Sequence, residues 1–211
     1  CPTAGHCESH CCVSPCFVCT VIAPPLDTRK YRWVQLGNGL EALLIHDAEA
    51  SKAAAALEVR AGHFSDPAAV PGLAHFTEHM MFLGTEYEPD EGAFKAFLTR
   101  HGGSSNAFTG MEATGFHFSV GPLVLPDAME RFAAFFTCPL LREDSCEREM
   151  KAVDSEFRRN LQSDVRRLFQ LTKSTSSPGH PFHKFSTGNL QTLSGASTFM
   201  PPHLAVRSFY E

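Results

Sequence analysis

Hydrophobic and polar positions change their spacing along the chain, and those changes mark out its elements. Tyr31–Leu36 and Leu40–Ile45 flank Gly37-Asn38-Gly39, which predicts two strands joined by a hairpin turn. Ala53–Val59 reads as a further strand, although its alanines would equally suit a helix. A short apolar stretch runs from Pro71 to Leu83, with Gly84 placed to stop a helix. Asp90–His101 carries Phe94, Phe97 and Leu98 on one helical face and runs into Gly102-Gly103. Gly115–Val120 alternates, so Phe116, Phe118 and Val120 share one side of a strand and His117 falls on the sheet surface. Asp127–Thr137 is another amphipathic helix, closed by Pro139. The longest helical pattern runs from about Ser145 to Lys173, where Met150, Val153, Phe157, Leu161, Val165 and Leu168 step by three or four. After Ser174 the chain is rich in Ser, Pro, Gly and Thr and reads as loop.

Residues 1–30 show neither period and end in Pro24-Pro25, so they read as an irregular lead, and 31–211 as the folded domain. Grouped strands and helices without regular βαβ alternation place that domain in the α+β class.

Composition narrows the function. At 211 residues the chain suits one or two domains, and 43% hydrophobic with 19% charged residues is ordinary for a globular protein. A net charge of −5 argues against a nucleic-acid partner, and no apolar run is long enough for a membrane span. Six of the eight cysteines lie within the first 19 residues, so the body looks like a reduced, cytoplasmic protein rather than a disulfide-stapled one. Cys16-x-x-Cys19 with His6 and His10 nearby fits no specific metal finger, and the head reads as a non-native leader. Cys138 and Cys146 read as idle or buried thiols. A chain that opens without Met and stops at Ser208-Phe209-Tyr210-Glu211 is expected to be a fragment.

Chemistry concentrates at His75-Phe76-Thr77-Glu78-His79. On a helix, residues four apart share a face with Cβ atoms about 5–6 Å apart, close enough for both imidazoles to bind one zinc at about 2.0–2.1 Å. Glu78 then flanks the metal face and can serve as general base without being a ligand, the inverted form of the H-E-x-x-H order. A catalytic zinc takes a third protein ligand. Glu149 and Glu156, seven apart on the long helical pattern, share a face, and spacing alone leaves either as ligand and the other as its helper.

The segment HFTEHMMFLGT from His75, preceded by Gly72-Leu73-Ala74, resembles the active-site helix of the pitrilysin family of inverted zinc peptidases. Ala152-Val153-Asp154-Ser155-Glu156 resembles that family's third-ligand segment, with 76 residues (80 to 155) between it and His79. Similarity to the insulin-degrading branch extends through Gly103-Ser104-Ser105-Asn106-Ala107-Phe108-Thr109, His180-Pro181-Phe182 and Lys184-Phe185-Ser186-Thr187-Gly188-Asn189. The resemblance implies a largely antiparallel sheet packed with helices. It implies one Zn2+ held by His75, His79 and Glu156, with Glu78 as general base and Glu149 as the nearby acidic helper. It also implies that Ser105, Asn106, Ala107 and Phe108 form an edge strand to which a peptide substrate adds by main-chain hydrogen bonds. Thr77 stands where that branch often carries Cys. The implied activity is hydrolysis of short peptides, with downstream homologous domains as partners in closing a substrate chamber. The competing reading is an inactive zinc-binding fragment or partner module.

Overall fold

The computed structural model describes residues 21–195 and 200–211, and the cysteine-rich head, where a leader was expected, lies outside them. The described residues fall into two compact units, one ending at Ser51 and the other running from Lys52 to Glu211.

The first unit holds the expected hairpin. Strands β1 (Lys30–Gln35) and β2 (Glu41–His46) pair antiparallel with Val34 opposite Ala42. Gly39 takes φ +87° in the turn, where a side chain would be strained.

The second unit places helices against a three-stranded antiparallel sheet. Its strands are β3 (Ala53–Val59), β4 (Ser104–Thr109) and β5 (Thr114–Val120), in the spatial order β3-β5-β4. The alanine run of β3 is therefore strand, its register fixed by pairing Ala53 with Val120 and Val59 with Thr114. Phe116, Phe118 and Val120 are buried along the central strand, while His117 is exposed, as alternation requires. They pack with Phe94, Phe97 and Leu98 of α2 (Ala93–Arg100) and with Ala128, Phe132 and Phe135 of α3 (Leu125–Phe135).

A second core lies among the other helices. Leu73, Phe76 and Met80 of α1 (Leu73–Met80) meet Cys146 and Val153 of α4 (Glu143–Asn160). Leu193 of α6 (Leu190–Ser194) and Ala205 and Val206 of α7 (Pro202–Tyr210) complete it. Helix α1 belongs to this core, while the next residue, Met81, packs in the sheet-side cluster. Two apolar faces are thereby used, and the histidines are left on the remaining one.

Two expectations are corrected. The pattern from Ser145 to Lys173 is not one helix: α4 ends at Asn160, and α5 (Asp164–Ser174) begins after Ser163, which is extended at φ −96°, ψ 115°. Leu161, Val165 and Leu168 are 50%, 76% and 63% exposed, so no packing rewards a continuous stripe there. Asp164 instead starts a new helix, its charge favourable beside the N-terminal dipole. The stretch after Ser174 is also not all loop. Asn189 caps α6 in a reciprocal capping box with Thr192, and Pro202 opens α7 at a position that needs no N–H.

Candidate metal centre

The first turn of α1 starts at Gly72, whose φ of +94° is left-handed and favours glycine. A Cβ there would stand 2.3 Å from Gly188 Cα, so this glycine also permits two backbones to touch. His75 sits in that first turn and His79 in the last, with Glu78 between them and only 9% exposed.

The imidazoles meet edge to face, with Nε2 atoms 3.3 Å apart. Each opposite nitrogen is committed. His75 Nδ1 lies 2.7 Å from the carbonyl oxygen of Thr187, which can only accept, so Nδ1 carries the proton. His79 Nδ1 lies 2.6 Å from Glu149 Oε1 and donates to that carboxylate. With Nδ1 engaged in this way, each ring turns its Nε2 toward the other. Glu156 Oε2 adds a third donor atom, an oxygen, 3.7 Å from each Nε2.

Two imidazole nitrogens and a carboxylate oxygen brought this close together make a donor set suited to a cation. Two nitrogens each about 2.05 Å from one zinc at the tetrahedral angle stand about 3.3 Å apart, the spacing found here. Among the described residues, His75, His79 and Glu156 form the cluster whose ligand atoms all lie within 4.8 Å of one another.

The two carboxylates left open by spacing occupy different places. Glu156 joins the cluster, whereas Glu149 lies on the far side of the His79 ring. Burial pushes the His79 proton affinity down, but the Glu149 hydrogen bond and the charges of Glu149, Glu78 and Glu156 outweigh it, so its pKa is raised. Their positions follow from α4, where Cys146, Met150 and Val153 face the core and Phe157 packs on Phe185, with the two glutamates one residue before Met150 and Phe157.

Glu78 accepts a short hydrogen bond from Thr109 Oγ1, the last residue of β4. Strand β4 lies at one edge of the three-stranded sheet, with Ser105, Ala107 and Thr109 half-buried and Asn106 and Phe108 exposed. The expected strand over Ser105, Asn106, Ala107 and Phe108 is thus present beside the metal cluster.

Cys138 and Cys146 are both free thiols; Cys146 is buried and its pKa is pushed up to about 12 by burial. His180 Nδ1 accepts from the Phe182 backbone N–H, and His183 Nδ1 lies 3.2 Å from the Ser176 carbonyl, so neither joins the cluster.

Sequence reasoning missed Thr187, Thr109 and Asp66. A backbone carbonyl has no side-chain signature, so Thr187 could not be found by residue type. Thr109 closed a segment already singled out. Asp66 was hidden because the capping residue is usually sought next to the helix, and here it lies six residues before Gly72.

Residues 41–179 match the family described as Insulinase (Peptidase family M16). The chain is 51% identical over 172 residues to the A-factor-processing enzyme of Saccharomyces cerevisiae, covering 82% of this chain and 17% of that protein. It is 51% identical over 169 residues to the insulin-degrading enzyme of Homo sapiens, covering 80% of this chain and 17% of that protein. The crystal structure of pitrilysin superposes with a TM-score of 0.87 at 36% identity, over 92% of this chain and 21% of that one. The chain therefore spans about one sixth of the length of the curated relatives it matches. On the matched residues, the chain belongs to the insulinase family of peptidases, Peptidase family M16.

Proposed function

We propose that this chain carries the zinc centre of a metalloendopeptidase that hydrolyses short peptides. The observation that carries the reading is the pair of Nε2 atoms 3.3 Å apart, faced by Glu156 Oε2. His75, His79 and Glu156 would hold one Zn2+ as its protein ligands. When bound, zinc supplies Lewis-acid activation of water and polarisation of a carbonyl.

The remaining work belongs to the protein. Glu78 is the general base: its carboxylate takes a proton from the attacking water and returns it to the leaving amine. Thr109 Oγ1 orients that carboxylate by donating to Oε2. Glu149 keeps the Nδ1 proton on His79, which fixes the ring and directs Nε2 inward. The edge of β4 accepts the peptide as an added strand, so Ser105, Asn106, Ala107 and Phe108 contribute main-chain groups and read little of the substrate sequence. Downstream domains of a longer protein complete the substrate chamber, and the cytoplasm is the setting the cysteine distribution favours.

Glu78→Gln is the test. Zinc content should stay that of the wild type while cleavage of a quenched peptide falls by about 10²–10⁴-fold. Unchanged cleavage would remove Glu78 from the role of base. A second reading, a zinc-binding module without turnover, is favoured by one fact: the chain covers 17% of the relatives' length. Wild-type chain that binds zinc, leaves the peptide intact and gains cleavage when the rest of the polypeptide is supplied would establish that reading.

A further inference from the structure

The two zinc-facing histidines are held by different means, and the one for His75 reaches well beyond its ring. Asp66 is 3% exposed, and its carboxylate accepts the backbone N–H groups of Gly72 and Ala74, each at 2.7 Å. Those donors belong to the start of α1, which has no internal partners for its first N–H groups. Gly72, at the capping position, has no side chain to serve them.

Lys184 ties this turn to the segment after α5. Its Nζ donates to the Phe64 carbonyl at 2.6 Å and to the Asp66 carbonyl at 2.7 Å. Three residues further on, the Thr187 carbonyl takes the Nδ1 proton of His75. The next residue, Gly188, is the one that touches Gly72. The turn at residues 63–65 is fixed from its other side by the β4–β5 connection, with His63 N–H on Gly110 O at 3.0 Å and Phe64 N–H on Met111 O at 2.8 Å.

We propose that Asp66 and Lys184 form a positioning clamp that sets the orientation and tautomer of His75, and through them the zinc affinity of the site. Asp66 fixes the helix turn that carries the imidazole, and Lys184 fixes the strand of backbone whose carbonyl holds the Nδ1 proton. Neither residue touches the metal position. The zinc part of the proposal rests on His75 being a ligand; the tautomer part does not. His79 is outside the clamp, since Glu149 on α4 holds its ring.

The test compares the wild-type chain, Lys184→Met, and Phe132→Leu as a destabilised control in the sheet-side core. Two quantities are read: the imidazole 15N shifts of His75 and His79 in the metal-free chain, and the zinc Kd by competition with a chelator. Lys184→Met should lose the single Nδ1-protonated form of His75, leave His79 unchanged, and weaken zinc binding at least tenfold. Phe132→Leu should alter neither histidine. Unchanged His75 shifts in Lys184→Met, or equal changes in Phe132→Leu, would overturn the clamp. If the wild-type chain bound no zinc, the ligand assignment would fall, and the His75 tautomer alone would still decide the clamp. Should Lys184→Met not fold, Lys184→Gln is judged by the same two readings.

Discussion

Glu149 Oε1 accepts a hydrogen bond from His79 Nδ1–H at 2.6 Å, linking α4, the longest helix among the described residues, to the helix that carries both histidines. The bond does two things at once: it fixes the tautomer and makes Nε2 a better electron-pair donor. Glu149→Gln keeps the shape and removes the charge. Zinc affinity should fall by about 10–100-fold with the fold retained, measured by chelator competition beside a far-ultraviolet circular dichroism spectrum.

The raised His79 pKa predicts opposite pH trends for the metal-free and zinc-bound chain. In the metal-free chain the His79 proton stabilises the native state fully below the unfolded value of about 6.5, and that contribution is lost as pH rises through the higher folded value. Zinc and the proton compete for Nε2, so zinc affinity should rise over the same interval. Thermal melts and zinc titrations from pH 6 to 8.5 check both trends, and Glu149→Gln should move them to lower pH.

Lys173 offers a prediction about stability alone. It is fully buried, its Nζ finds no hydrogen-bond partner among the described residues, and it stands 5.4 and 5.6 Å from the ring centres of Phe169 and Phe182. Burial pushes its pKa down to about 8, and the attraction of Asp66 only partly opposes this. A lysine depressed in the folded state favours its neutral form there, so stability should rise as pH climbs from about 8 toward the unfolded value of about 10.4. Lys173→Met should raise stability at pH 7 by about 1–3 kcal/mol and flatten that rise, as read by denaturant melts at pH 7 and 10.

The close approach of His75 and His79 was readable from the sequence because spacing and helical pattern agreed. His75 and His79 one turn apart needed only a helix, and the apolar positions around them supplied it. Choosing Glu156 over Glu149 needed either a resemblance or coordinates, because both glutamates share one face of α4 and periodicity cannot say which one meets the histidines. The sheet was legible at β5, where Phe116, Phe118 and Val120 alternate. It was ambiguous at β3, whose alanines acquire strand geometry only by pairing with β5. The break at Ser163 was hidden because Leu161, Val165 and Leu168 keep helical spacing without being buried. Helix α7 was missed for a related reason: its apolar residues follow a long run of turn-forming ones, and only packing of Ala205 and Val206 reveals it. Asp66 caps from outside the usual capping position, and Lys184 and Thr187, though inside a segment that carries the resemblance, meet partners far away in sequence that no local pattern announces.

The central claim is that His75, His79 and Glu156 together hold one zinc ion. Metal analysis of the purified chain after removal of loosely bound ions tests it most directly, with Glu156→Gln measured alongside and both checked for a native circular dichroism spectrum. The account predicts one equivalent of zinc in the wild-type chain and well below half an equivalent in Glu156→Gln. A wild-type chain without zinc, or a folded Glu156→Gln that retains its full equivalent, would contradict it.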